Sequence, residues 1–132
     1  IDLMATCVDV GEATYPNEFN GKKITPRQGV SLQPAFLGKP LGRSQPIFWE
    51  HEGNRALRDG KWKLVARGAR GPWELYDIEA DRTELNDLSA KHADRAKSMA
   101  ERWEAWAVTA KAKPWPWGPN KKKKQPKAKN KK

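Results

Sequence analysis

The stretch from Pro46 to Asp77, PIFWEHEGNRALRDGKWKLVARGARGPWELYD, constrains the fold of this chain more than any other. Side chains along a β-strand project alternately to two faces, so short runs of period-two alternation predict half-buried antiparallel strands. Ile47 and Trp49 alternate with Phe48 and Glu50 in a first such run. Asn54 to Arg58 and Lys61 to Ala66 form a second and a third, meeting at Asp59-Gly60. Asp-Gly between strand-like runs predicts a hairpin with a type I′ turn, because that turn needs positive φ at both central residues. In the third run Trp62, Leu64 and Ala66 share one face, and Lys61, Lys63 and Val65 share the other. Arg67 to Pro72 reads as a loop, and Trp73, Leu75 and Asp77 alternate with Glu74 and Tyr76 in a fourth strand.

A sheet this small needs a covering layer. Residues 79–88 predict a turn with side-chain-to-backbone bonds from Asp81, Thr83 and Asn86. A helix is then expected from near Ala93 to Ala110, with Ala96, Met99, Trp103, Trp106 and Ala110 as its buried stripe. Glu101, Arg102, Glu104 and Lys97 lie mostly on its far side. Beyond it, Trp115 or Trp117 of the PWPW segment is expected to pack back on the domain.

The chain before Pro46 is less regular. Residues 1–10 place Leu3, Cys7 and Val10 on one helical face, with Met4 and Val8 beside it and Gly11 as the C-terminal cap. Cys7 on that face reads as a buried small hydrophobe. Residues 11–30 read as a connecting loop, and Ser31 caps a short helix with Leu32, Ala35 and Phe36 turned inward. Ile1 already lies inside an apolar helical pattern, so further sequence is expected upstream. The fold class is α+β: a small four-stranded antiparallel sheet packed by one long C-terminal helix and preceded by short helices.

Composition narrows the function. The 132 residues suit one small domain plus a tail. The last fourteen residues hold eight lysines and nothing apolar but Pro and Ala, so residues 119–132 are expected to be a disordered tail. Those lysines carry eight of the formal +10 charges, which leaves +2 on residues 1–118. One cysteine excludes an internal disulfide, and no stretch approaches the length of apolar residues that spans a membrane. One reading of the tail is an autonomous basic module that binds nucleic acid or other polyanions weakly through its lysines. No aromatic residue interleaves those lysines, so base stacking is not expected there.

A series of short matches points elsewhere. Asp2-Leu3-Met4-Ala5-Thr6 is followed by Gly29-Val30-Ser31-Leu32, Pro34 and Leu37-x-Lys39. Next come Trp49-Glu50-His51-Glu52-Gly53-Asn54-Arg55-Ala56 and Asp59-Gly60-Lys61-Trp62-Lys63-Leu64. Trp73-Glu74-Leu75-Tyr76-Asp77, Asp81, Thr83-Glu84 and Asn86-Asp87-Leu88 complete it. Over residues 1–117 this ordered series resembles the C-terminal part of the sulfatases, in particular the bacterial arylsulfatase A-like group within the alkaline-phosphatase-like superfamily.

The resemblance implies a division of the chain. Residues 1–43 would be the end of the catalytic α/β domain, 44–118 the C-terminal subdomain, and 119–132 the variable tail. It also implies a parent enzyme, secreted or periplasmic, that hydrolyses sulfate esters of a small molecule or polysaccharide. Such an enzyme uses a formylglycine made from the Cys or Ser of C-x-P-x-R and a calcium ion. Cys7 is followed by Val8, Asp9, Val10 and Gly11, which does not match that motif. No catalytic or metal-ligating residue is therefore assigned to this chain, and its partner would be the missing N-terminal catalytic domain.

The residues left for function lie at the turn between the first two strands. His51, Asn54 and Arg55 present donors suited to a sulfated or carboxylated substrate, and Gly53 allows close backbone approach. The plainer alternative for His51 is a surface-loop histidine. His92, at the start of the long helix, reads as a solvated cap rather than a metal-binding companion. Trp62, Trp73, Trp103 and Trp106 read as core rather than as a stacking platform. The acidic run Asp81 to Asp87 lacks the ligand spacing of a calcium loop and reads as turn capping.

Overall fold

The computed structural model describes residues 1–112. The expectations for Trp115, Trp117 and the lysine-rich residues 119–132 lie outside the described residues. The chain divides into two compact units, one ending at Gln45 and one beginning at Pro46.

The first unit opens with helix α1, Asp2–Val10, capped at its C-terminus by Gly11. Its buried residue is Ala5, and the apolar face of Leu3 and Val10 is left without a partner surface, as is Cys7, which was expected to be buried. Leu3 is 76% and Val10 57% exposed, and Cys7 is exposed as well. The helix is held instead through polar atoms. Asp2 Oδ1 accepts the Val30 N–H at 3.0 Å, and Arg43 pairs with Asp2 Oδ2. Arg43 foremost holds the Asp2 carboxyl below its usual range. Thr6 Oγ1 donates to the Asp2 carbonyl at 2.8 Å and accepts the Leu32 N–H at 2.9 Å. Gly29 has φ +86°, and a Cβ there would lie 2.4 Å from the Ile1 carbonyl oxygen.

Two local features differ from the expected loop and helix. Residues 11–30 contain a minimal hairpin, β1 (Glu18–Phe19) with β2 (Lys22–Lys23). Its turn, Asn20-Gly21, has φ of 51° and 72°, as a type I′ turn demands. Helix α2 is only Gln33–Phe36, with Ser31 Oγ accepting the Gln33 N–H at 3.2 Å. Phe36 is 69% exposed and Ala35 is exposed too, so neither turns inward.

The second unit is a four-stranded antiparallel meander: β3 (Ile47–His51), β4 (Asn54–Asp59), β5 (Trp62–Ala66) and β6 (Glu74–Asp77). Helix α3 runs from Ala93 to Ala110, the span expected from its apolar stripe. Leu57, Leu64 and Leu75 stand opposite one another in register on adjacent strands and are wholly buried. Burying each contributes about 1.5–3 kcal/mol. Ala96, Met99, Trp103 and Ala107 of α3 close over them. Ala107 takes the place expected for Ala110, which is exposed. Trp106 stacks on Phe48 at 5.2 Å, and Trp73 meets Trp103 edge-on at 5.7 Å. Lys111, left-handed at φ 55°, ends the helix.

Both edges of the sheet are covered, which blunts pairing with another chain. On the β3 edge the Trp103 indole N–H donates to the Trp49 carbonyl at 2.9 Å. On the β6 edge Asp87 Oδ1 accepts the Leu75 N–H at 3.0 Å, and the Leu88 N–H donates to the Leu75 carbonyl at 2.8 Å.

Candidate functional site

The type I′ turn sits at a different place from the one expected. In the β4–β5 hairpin Asp59 pairs with Trp62, so the central residues are Gly60 and Lys61. Only Gly60 has positive φ, 57°, which is the type II′ pattern with Gly first. Asp59 belongs to the strand and pairs with Arg102 of α3 at 2.6 Å. The β3–β4 turn is the one with two positive φ values, Glu52 at 52° and Gly53 at 82°. Glutamate is an unusual occupant of left-handed backbone. Glu50 Oε1 helps to hold the turn by accepting the Gly53 N–H at 2.8 Å.

This turn carries the residues read as substrate contacts. His51 and Asn54 are paired directly across it, and both are exposed. Asn54 Nδ2 donates to the His51 carbonyl at 3.0 Å, and Asn54 Oδ1 accepts the Gly68 N–H at 2.9 Å. Asn54 thus stitches the turn to itself and to the loop after β5. Strand alternation puts Arg55 on the other side of the sheet, the side of Leu57 and α3. Its guanidinium carbon lies 4.4 Å from the Trp73 ring centre and 5.6 Å from that of Trp103. Nη2 donates to the Gly71 carbonyl at 2.9 Å, and Nη1 lies 3.7 Å from Glu104 Oε1. The structure brings His51 and Asn54 together across the turn and lays the Arg55 guanidinium against Trp73, while all three residues line one depression.

The side of the sheet away from α3 bears Trp49, His51, Asn54, Ala56, Lys63, Val65 and Tyr76. A depression there is lined by Trp49, His51, Asn54, Lys63, Arg67 and Glu74, and Arg55 also borders it. Trp49, 45% exposed, gives it an aromatic wall. Lys63 pairs with Glu84. Tyr76 donates its hydroxyl proton to Glu74 Oε2 at 2.8 Å. Burial, then the Glu74 carboxylate, push its pKa up to about 12, so it stays a neutral donor.

The acidic segment after β6 is a capping loop. Asp81 Oδ2 accepts the N–H groups of Leu85 and Asn86, both at 2.8 Å. The Asn86 N–H foremost holds the Asp81 carboxyl below its usual range. Burial would raise the Asp87 carboxyl, but bonds from the N–H groups of Leu75 and Ser89 and from the Ser89 hydroxyl lower it overall. Asp87 ends the acidic run read from sequence as turn capping, and it caps the N–H groups of Leu75 and Ser89. Among the described residues no three His, Cys, Asp or Glu side chains converge to hold a metal ion. His92 occupies the N-cap position of α3 and meets Trp62 edge-on at 5.2 Å.

Comparison with known proteins places the chain. An uncharacterized sulfatase of Schizosaccharomyces pombe is 31% identical over 121 residues, 83% of this chain. The choline-sulfatase of Rhizobium meliloti is 39% identical over 67 residues, 46% of this chain. The chain is a sulfatase relative. It spans 22% of the yeast protein's length and 12% of the choline-sulfatase's. The solved structure of Ps i-CgsB matches 80% of this chain with a TM-score of 0.61 and 25% identity, and the match takes up 23% of that protein. The same protein is also solved in complex with k-i-k-neocarrahexaose. No protein-family model matches the chain. Among the described residues no helix is long and apolar enough to cross a membrane.

Proposed function

We propose that this chain is the C-terminal portion of a sulfuric ester hydrolase. Its work is structural, and its β3–β4 turn forms one wall of the pocket for a sulfated substrate. The observation that carries this is the match of 83% of the chain to 22% of the length of a sulfatase. The formylglycine, the calcium ligands and the sulfur chemistry belong to the catalytic domain of the parent protein, which we place in the periplasm or outside the cell.

In this reading His51 faces the substrate, a ring N–H donating to a sugar hydroxyl or a sulfate oxygen. Asn54 and Arg55 act on it indirectly, by fixing the turn and the neighbouring loop. The complex of Ps i-CgsB with k-i-k-neocarrahexaose supports an oligosaccharide as the substrate class. The test uses the full-length protein that contains this segment, with His51→Ala and Arg55→Ala. His51→Ala lowers kcat/KM about tenfold, the loss of one hydrogen bond to a charged group, across a panel of sulfated mono- and oligosaccharides. An unchanged kcat/KM on every member of the panel contradicts the pocket role.

A further inference from the structure

We infer that Arg67, rather than Arg55, is the cation that meets a sulfate group at the turn end of this sheet. The inference rests on the reading of the β3–β4 turn as part of a sulfated-substrate pocket and adds a residue to it.

Three observations carry it. Arg55 lines the same depression, but its guanidinium is spent on the fold: it lies against Trp73 and Trp103, its Nη2 donates to the Gly71 carbonyl, its Nε is buried without a partner among the described residues, and its side chain is only 14% exposed. Arg67, by contrast, follows Ala66 and so continues the side of Lys63 and Val65, which is also the side of His51 and Asn54. It is exposed, and it lines one depression with those two residues. Two other ionic groups in that depression, Lys63 and Glu74, have partners of their own. Lys63 pairs with Glu84, and Glu74 accepts the Tyr76 hydroxyl. Among the described residues Arg67 forms no ion pair.

The loop that carries Arg67 is held in place. Asn54 Oδ1 accepts the Gly68 N–H at 2.9 Å, and the Gly71 N–H donates to the Gly68 carbonyl at 3.3 Å. A Cβ at Gly71 would lie 2.0 Å from the Arg67 carbonyl oxygen, so this tight closure needs glycine there. Arg55 fixes the far end of the same loop through the Gly71 carbonyl. A backbone fixed at both ends lowers the ordering cost of bringing Arg67 to a ligand. A guanidinium presents a planar fork of donors that fits two oxygens of a sulfate at once, and a lysine ammonium does not. Arg67 is thus a specificity-determining contact, and Asn54 and Arg55 are its positioning residues.

The experiment is a residue-resolved NMR titration of the full-length protein that contains this segment with N-acetylglucosamine 6-sulfate, with unsulfated N-acetylglucosamine as control. The sulfated sugar is expected to shift the Arg67 Nε–H together with the amides of His51, Asn54 and Gly68, and the unsulfated sugar to leave them in place. Arg67→Gln weakens the binding about tenfold, and Arg67→Lys recovers only part of it. Shifts that vanish in His51→Ala but persist at full strength in Arg67→Gln overturn the inference and leave the pocket reading standing. Shifts confined to the lysines of residues 119–132, or absent from both loops, overturn both. Arg67 is exposed and unpaired, so its variants keep the fold, and unmoved amides of Leu57, Leu64 and Leu75 verify this in the same spectra.

Discussion

The side of the sheet that faces α3 and the side that faces away from it treat their polar residues differently. Toward α3 the charged residues are fastened within the fold: Arg55 to Gly71 and two tryptophans, Asp59 to Arg102. Away from α3, His51, Asn54 and Arg67 are exposed, and Trp49 shows nearly half its surface. Asn54 and Arg55 are neighbours in sequence and alike in polarity, yet they serve opposite sides. Strand parity, rather than residue type, decides which polar side chains a small sheet can offer to a ligand.

Two substitutions sharpen that contrast. Trp103→Ala has the larger expected effect. It empties a core position that is 5% exposed and strips the β3 edge of the bond to the Trp49 carbonyl. The expected loss is about 3–5 kcal/mol, read as a lower denaturant midpoint and lost near-ultraviolet dichroism. A variant with wild-type stability would mean that α3 does not hold the sheet. Asp87→Ala removes the acceptor for the Leu75 and Ser89 N–H groups and is expected to cost about 1 kcal/mol. Hydrogen exchange checks it: the Leu75 amide exchanges faster while Leu64 on the central strand keeps its protection. Equal acceleration at both would show that the edge is not a local device.

Much of this was legible in the sequence. The helix over Ala93–Ala110 follows from its apolar spacing, and only the last stripe position moved, from Ala110 to Ala107. The four strands follow from alternation and from the two glycine-bearing turns. The turn types did not follow, because Asp59 prefers its partner Arg102 to a turn position, and because Glu52 adopts a left-handed φ that its own identity does not advertise. Asn20-Gly21 is an ordinary hairpin signal, but the two-residue strands around it show no alternation. Cys7 and its apolar neighbours lie exposed because α1 is fastened through Asp2 and Thr6, and helical periodicity reports which residues share a face but not what lies against it. Arg55 was grouped with His51 and Asn54 by proximity along the chain. The alternation of β4 already places it on the opposite side.

The division of labour between the two sides is tested most directly by paired urea denaturation of His51→Ala and Arg55→Ala in the 132-residue chain. Arg55→Ala is expected to lose about 2 kcal/mol, from its cation–π contacts and its bond to Gly71. His51→Ala is expected to stay within about 0.5 kcal/mol of the parent, as exposed positions do. Equal losses in the two variants, or a neutral Arg55→Ala, would contradict the account.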